Sequence, residues 1–138
     1  FAGGKKYRKI GLLTLASLIV NTLLGEGILK HIIERSRPFA TYESLHIMIT
    51  KPSSYSMPSG HTSASFAAAF MLAYYFKNIR VYIYSLASLI AFSRLYLLVH
   101  YPSDVLTGAL LGYLSFLIVI KSYELIQKSK IKDQRKSF

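Results

Sequence analysis

The stretch YSMPSGHTSAS, residues 55–65, places a glycine, a histidine and several small hydroxyl side chains directly before an apolar run. Serine favours helix starts because the first N–H groups of a helix have no partner within it. A helix beginning at Ser59 would point the N–H groups of Ser59, Gly60 and His61 outward along a favourable dipole, which suits an anion. Gly60 lacks a β-carbon and lets an anion approach the backbone closely. We therefore interpret this helix start as an anion site.

Cationic side chains could complete such a site. Lys30 and Arg37 follow the first apolar run, and Arg94 lies inside a later one. A guanidinium binds two phosphate oxygens at once, lysine acts as a point charge, and ionisable residues in apolar helices are usually functional. These three cations indicate a phosphoryl ligand with about two negative charges. Lys30 also follows Glu26 by four residues, which predicts an ion pair, and Arg35 either joins the phosphate site or faces solvent.

His100 and Asp104 are four residues apart, with Pro102 placed to be the first residue of a helix. A carboxylate that accepts the Nδ1 proton of His100 would leave Nε2 free to attack phosphorus. His61 would protonate the departing oxygen, and water would then hydrolyse the phosphohistidine. The pattern predicts His100 as nucleophile, Asp104 as its partner and His61 as acid and base.

We expect this chemistry to need no metal ion and no other cofactor. Glu34, Glu43 and Asp104 are the carboxylates that lie outside the apolar runs on this face. They are too few for the usual two-metal site.

Four apolar runs must position these residues. The chain has 138 residues, 52% of them hydrophobic, and the apolar ones gather at 10–29, 63–76, 81–99 and 105–120. A membrane-spanning helix needs roughly 20 apolar residues. The second and fourth runs reach that length if their helices begin at Ser59 and Pro102. We predict an all-α integral-membrane bundle with four spanning helices, in which Gly108 and Gly112 form a G-x-x-x-G packing face.

The net charge of +11 is a topology signal. Basic residues precede the first run, fill the turn between the second and third, and follow the fourth, as a basic tail over about 121–138. Four crossings put these groups on one side, and lysine and arginine accumulate on the cytoplasmic side. Both ends should be cytoplasmic, and anionic membrane lipids rather than nucleic acid should be the partners of these charges. The opposite, extracytoplasmic face then receives the chemical residues, namely Lys30, Arg37, His61, Arg94, His100 and Asp104.

Three motifs on these residues resemble a known family. KHIIERSRP, residues 30–38, fits K-x-x-x-x-x-x-R-P; PSGH occupies 58–61; and SRLYLLVHYPSD, residues 93–104, fits S-R-x-x-x-x-x-H-x-x-x-D. Each motif alone is weak, but all three in order are specific. Together they resemble the signature of the type-2 phosphatidic acid phosphatases, the membrane-bound lipid phosphate phosphatases related to vanadium haloperoxidases.

The resemblance implies the same catalytic roles for His100, His61 and Asp104. It assigns phosphate binding to Lys30, Arg37, Ser59, Gly60 and Arg94. It further implies a helical membrane enzyme, metal-independent catalysis, inhibition by vanadate and a lipid phosphate substrate. Undecaprenyl pyrophosphate is the favoured candidate by this analogy, followed by phosphatidylglycerol phosphate and phosphatidic acid.

One feature departs from the family. Its membrane members commonly have six spanning helices, whereas this chain shows four apolar runs and begins with Phe1. We therefore expect one or two N-terminal helices to precede the sequence, and residues 1–138 to form a single membrane-embedded phosphatase domain. No sequence motif indicates an oligomeric state.

Two other functions fit parts of the pattern. A vanadate-dependent haloperoxidase would use a similar pocket, although four apolar runs disfavour it. A membrane protein that binds or transports an anion without hydrolysing it would share the cations but would not need His100. A purely structural helical anchor leaves the converging polar residues unexplained.

Overall fold

The computed structural model describes residues 2–42, 44, 47 and 49–136. This part of the chain is helical and contains no strand, which confirms the predicted all-α class. Its α-helices are α1 Ala2–Thr22, α2 Lys30–Ile33, α3 Pro38–Thr41, α4 Gly60–Tyr75, α5 Arg80–Tyr96 and α6 Pro102–Lys136. A π-helical segment, Leu23–Leu29, joins α1 to α2, and a 3₁₀ turn, Lys77–Ile79, joins α4 to α5.

The π-helical segment interrupts what the sequence predicts as one regular helix ending near Lys30. Its centre is the sequence Gly25-Glu26-Gly27, and glycine is a weak helix former. A β-carbon on Gly25 would lie 3.0 Å from the side chain of Leu111 in α6, so this segment packs closely on α6. π-helical turns are rare and often mark functional sites. Here the irregular turns carry Glu26.

Two helical segments of the described chain, Gly4–Thr41 and Pro102–Gln134, are long and apolar enough to cross a membrane. They contain the first and fourth predicted spans. α4 and α5 have 16 and 17 residues, which gives each about 25 Å at 1.5 Å per residue, against a hydrocarbon core of about 30 Å. The predicted helix starts agree with the structure, since α6 begins at Pro102 and α4 one residue after Ser59. Spans two and three stay predictions.

α4 packs against α1, α5 and α6. A β-carbon on Gly108 would lie 2.8 Å from the carbonyl oxygen of Ser59, and one on Gly112 would lie 2.6 Å from that of Ser63. These two glycines therefore let the α6 backbone lie directly on α4, as the G-x-x-x-G spacing predicts. The contact holds the start of α4 beside the start of α6. Further along, apolar side chains of α1, α4 and α6 form a core of Leu13, Met71, Phe116, Val119 and Ile120.

The segments that carry the basic residues lie together at the end of the bundle opposite the starts of α4 and α6. Nζ of Lys9 in α1 lies 4.4 Å from the ring centre of Tyr123 in α6 and 5.6 Å from that of Tyr75 in α4. The rings of Tyr7 and Phe76 stack with their centres 6.2 Å apart. The start of α1, the end of α4 and the later part of α6 thus share one end.

The predicted basic tail is helical in the described residues. α6 continues to Lys136 without a break, and its lysines from Lys121 to Lys132 are exposed. Residues 137 and 138, which also belong to this prediction, lie outside the described residues. The described part of the tail therefore continues α6, with its lysines exposed.

Candidate active site

Five of the residues selected from the sequence line one cavity of about 220 Å³. They come from the end of the first helical segment, the start of α4 and the turn before α6, and they are Lys30, Arg37, Gly60, His61 and His100. His61 lies close enough to the charges of Lys30, Arg37, Arg94 and His100 to interact with them. The fold thus brings three separate motifs to one place.

Lys30 is buried, and its ammonium group has anionic and polar partners. Nζ lies 2.8 Å from Oε1 and 3.0 Å from Oε2 of Glu26, which confirms the predicted pair four residues apart. Nζ also donates to the Ser54 hydroxyl at 3.1 Å. The Glu26 side chain is itself 46% exposed, so the charge of Lys30 is balanced by a carboxylate that solvent can reach.

Arg37 is buried, and its guanidinium is held by backbone and side-chain oxygens. Nε donates to the Ser54 carbonyl at 2.8 Å, Nη2 donates to the Ser54 hydroxyl at 3.2 Å, and Nη1 donates to the Val99 carbonyl at 2.9 Å. The Arg37 backbone is extended, as expected before a proline, and Pro38 opens α3. The planar fork is therefore fixed in orientation.

The imidazole of His100 is buried between Arg37 and Asp104. Nη1 of Arg37 lies 3.2 Å from Nε2 of His100. A guanidinium carries only donors, so Nε2 accepts and the proton of the neutral ring lies on Nδ1. Nδ1 lies 3.5 Å from Oδ2 of Asp104 and has no hydrogen-bond partner among the described residues. The ring has the orientation that the sequence predicts, although this distance exceeds that of an ordinary hydrogen bond.

Asp104 lies in the first turn of α6, as predicted, and is fully buried. Its Oδ1 accepts from Nη1 of Arg35 at 2.7 Å, and its Oδ2 accepts from the Ser56 hydroxyl at 2.5 Å and the Tyr101 N–H at 2.8 Å. Arg35 also stacks on the Tyr101 ring, with its guanidinium carbon 4.0 Å from the ring centre. The sequence alone is consistent with either a phosphate-binding or a solvent-facing Arg35. In the structure Arg35 forms an ion pair with Asp104.

Ser59 and Gly60 have different surroundings at the start of α4. Ser59 is fully buried, donates its N–H to the Asp104 carbonyl at 3.0 Å and pairs its hydroxyl with that of Thr62 at 3.0 Å. Gly60 lines the cavity, and a β-carbon there would lie 2.5 Å from Oε1 of Glu26. A carboxylate thus lies against the helix start, where the sequence predicts an anion.

Arg94 is placed differently from the expectation. The sequence puts it about two turns inside the third apolar helix, but α5 ends at Tyr96, so Arg94 lies in the last turn. Leu98 has a left-handed backbone (φ 57°), which ends the helical path before His100. The Arg94 guanidinium donates to the Ser93 hydroxyl at 3.1 and 3.0 Å, and Arg94 is not among the described residues that line the cavity. Its phosphate role stays a prediction.

Sequence reasoning missed two serines of the connection between α3 and α4. Ser54 contacts both Lys30 and Arg37, and Ser56 contacts Asp104. Neither has a distinctive neighbour spacing in KPSSYS, residues 51–56, so nothing in the sequence could have identified them.

Within the described ranges, no group of three or more His, Cys, Asp or Glu residues is placed to hold a metal ion. The exposed Glu34 carboxylate lies near the Tyr55 hydroxyl and raises the pKa of that phenol. Asp104 is engaged by Arg35, and Glu43 lies outside the described residues. Independence from metals stays a prediction.

The motifs and their geometry agree with comparisons of the whole chain. Residues 10–128 match the model of the PAP2 superfamily. The chain is 37% identical over 117 residues to the undecaprenyl-diphosphatase of Sulfolobus acidocaldarius. The aligned region covers 83% of this chain and 56% of that protein. It is 37% identical over 145 aligned positions to phosphatidylglycerophosphatase B of Bacillus subtilis, with 95% of this chain and 68% of that protein covered.

The fold is also similar to that of a solved PAP2-type structure. The crystal structure of the transmembrane PAP2-type phosphatidylglycerolphosphate phosphatase of Bacillus subtilis matches with a TM-score of 0.66 at 34% identity, over 91% of this chain and 65% of that one. The chain therefore spans between a little over half and two thirds of the length of these relatives. The resemblance indicated by the three motifs is confirmed: this chain is a membrane protein of the PAP2 superfamily.

Proposed function

We propose that the protein is an integral-membrane lipid phosphatase that hydrolyses a phosphate or pyrophosphate head group through a phosphohistidine. The observation that carries this proposal is the single cavity shared by Lys30, Arg37, His61 and His100. Two cations that could bind phosphate and two histidines, one buried and one exposed, surround a space of about 220 Å³. That volume is sufficient for a phosphoryl group, and the histidines can supply the nucleophile and the acid.

Binding would exchange partners already present in the cavity. The substrate phosphoryl oxygens would take N–H groups of Arg37 and the ammonium of Lys30, which now face His100, Ser54 and Glu26. One phosphoryl oxygen would displace Oε1 of Glu26 from beside Gly60 and take its place against the helix N–H groups. Ser59 and Arg94 complete the proposed phosphate-binding set. The Ser59 N–H is donated to the Asp104 carbonyl, so Ser59 contributes by fixing the start of α4. The exchange would free the Nε2 lone pair of His100.

Transfer would then follow in two steps. Nε2 of His100 forms a bond to phosphorus while the bond to the leaving oxygen breaks, and His61 gives that oxygen a proton. Asp104 stabilises the positive charge on the His100 ring through Nδ1–H. In the second step His61 takes a proton from water, the water oxygen bonds to phosphorus, and phosphate leaves with Nε2 restored.

The substrate is proposed from the relatives and from the position of the site. The relatives are named for undecaprenyl pyrophosphate and phosphatidylglycerol phosphate. Undecaprenyl pyrophosphate and phosphatidylglycerol phosphate are therefore candidates, and phosphatidic acid is added by analogy with the family. We further propose that the chain crosses the membrane four times, with the basic end cytoplasmic and the cavity at the extracytoplasmic head-group level. The meeting of the basic groups at one end supports this arrangement.

The test is phosphate release by the full-length protein in detergent with excess EDTA, with each of the three lipids. We expect release by the wild type and by His31→Ala, an exposed histidine outside the cavity, but none by His100→Ala. Release that requires a divalent metal would contradict the mechanism. Phosphate binding without release by any lipid would favour an anion-binding protein, and bromide oxidation after addition of vanadate would favour a haloperoxidase.

A further inference from the structure

A second cavity adjoins the proposed active site. Its volume is about 280 Å³, and it lies between the end of α1, the π-helical segment and the start of α4. Glu26, Gly60 and His61 line both cavities. In the proposed mechanism His61 protonates the departing oxygen, so the group attached to that oxygen leaves on the side of the phosphate that faces His61. The second cavity adjoins that side, because His61 lines it as well.

The second cavity contains an unsatisfied polar side chain. Asn21 of α1 lines it and is only 3% exposed. Its Nδ2 donates to the Ser63 hydroxyl at 3.1 Å, while Ser63 donates its own proton to the Gly60 carbonyl at 3.1 Å. Because Ser63 already donates its proton to Gly60, its hydroxyl can only accept from Asn21. Nδ2 of Asn21 must therefore face Ser63, which leaves Oδ1 as the atom of the amide that still needs a partner. Oδ1 is buried and has no partner among the described residues.

The chemistry of the lining defines what can bind there. A buried acceptor without a partner is costly, so Oδ1 of Asn21 favours a ligand that donates a hydrogen bond. Glu26 adds a carboxylate, which also only accepts. The exposed Thr22 hydroxyl can accept as well. A second phosphate or an ester carbonyl offers acceptors alone and would leave Oδ1 of Asn21 without a donor. A hydroxyl group suits this lining.

We propose that the second cavity holds the leaving alcohol, and that Oδ1 of Asn21 accepts a hydrogen bond from a free hydroxyl next to the phosphoester. This inference rests on the proposed phosphatase function and narrows its substrate class. The preferred substrate is a lipid-linked polyol phosphate, whose leaving group is a glycerol or a sugar. A prenyl pyrophosphate releases a prenyl phosphate, and phosphatidic acid releases a diacylglycerol; neither places a hydroxyl beside the departing oxygen.

The test compares two substrates that differ in one hydroxyl. Phosphatidylglycerol phosphate and its analogue without the central hydroxyl of the terminal glycerol are given to the full-length protein in detergent. We expect kcat/KM to be about tenfold lower for the deoxy analogue, the effect of one hydrogen bond. Asn21→Leu should remove this difference by lowering kcat/KM only for the hydroxylated substrate. A prenyl-linked ribose 5-phosphate, with and without its C3 hydroxyl, the free hydroxyl nearest the phosphoester, tests the sugar as the source.

The matched control is Ser17→Ala. Ser17 is also buried and lies one helical turn from Asn21, but it is not among the described residues lining the cavity, so the tenfold difference should persist. Equal kcat/KM values in the wild type for both matched pairs would overturn the inference, as would a difference that survives in Asn21→Leu. The kcat/KM values of the wild type for the hydroxylated and deoxy substrates test the inference even if Asn21→Leu does not fold. Hydrolysis of undecaprenyl pyrophosphate alone would overturn this inference but keep the proposed phosphatase function, whereas hydrolysis of no lipid phosphate would defeat both.

Discussion

Nη1 of Arg37 lies 3.2 Å from Nε2 of His100, and both side chains are buried. The contact directs the lone pair of the proposed nucleophile toward the cation that is proposed to bind the phosphate. A phosphoryl group that binds Arg37 would therefore meet Nε2 at short range. The same contact requires the proton of neutral His100 to lie on Nδ1, which faces Asp104.

Asp104→Asn tests the orientation of His100. The amide cannot stabilise the positive charge that develops on the ring, and it can present an N–H where Nδ1–H needs an acceptor. We expect kcat to fall by on the order of 10⁴-fold, as for the equivalent change in a Ser-His-Asp triad, with KM changed much less. Steady-state kinetics on folded protein measures this. An unchanged kcat would show that Asp104 does not act through His100.

Arg35→Ala tests a positioning role that the structure, but not the sequence, assigns. Removing the guanidinium leaves Ser56 and Tyr101 as donors to the buried Asp104 carboxylate. We expect kcat to fall and the free energy of unfolding to drop by about 1–3 kcal/mol, because a buried charge loses a partner. Arg35→Lys should restore part of kcat. Arg80→Ala, at an exposed position at the start of α5, is the control. A normal kcat in Arg35→Ala would exclude the positioning role.

Gly112→Ala tests the contact between α4 and α6. The new β-carbon would lie 2.6 Å from the Ser63 carbonyl oxygen and 2.7 Å from the Ala67 nitrogen, both in the backbone, so the helices must separate. We expect a loss of about 1–3 kcal/mol in the free energy of unfolding in detergent. The control is Gly11→Ala, where nothing lies within 4 Å and alanine is the better helix former. Equal stability of the two variants would contradict the described packing.

Single cysteines test the membrane orientation, since the chain contains no native cysteine. Ser53→Cys lies in the exposed connection near the cavity, and Ser129→Cys lies on the exposed far part of α6. In intact cells a membrane-impermeant maleimide should label Ser53→Cys, and Ser129→Cys should react only after permeabilisation. Cysteines elsewhere in the full-length protein are first replaced. Labelling of Ser129→Cys from outside would reverse the proposed topology.

The sequence predicts which polar residues come together better than it predicts the helices. His100, His61, Lys30 and Arg37 are few and polar among apolar surroundings, so they can be selected without a structure, and they line one cavity. Their distant segments meet because the helix starts at Ser59 and Pro102 are marked by local backbone preferences, which the structure confirms within one residue. Local signals of this kind need no knowledge of tertiary contacts.

Other features depend on contacts that the sequence does not record. The early end of α5 follows from the left-handed backbone at Leu98, a residue without preference for that conformation. The pairing of Arg35 with Asp104 joins positions 69 residues apart. The π-helical turns around Glu26 leave the periodicity of apolar residues nearly unchanged. Such features arise from tertiary packing, which decides among several acceptable local states.

A trapped phosphoenzyme would test directly whether His100 carries the phosphoryl group. Full-length protein is mixed with a head-group-labelled lipid phosphate in EDTA, quenched in alkali within the first turnovers, and digested for mass analysis. We predict a phosphate on His100 that is stable in alkali, labile in acid and absent from His100→Ala. Turnover without any phosphoenzyme, or a phosphate on another residue, would contradict it.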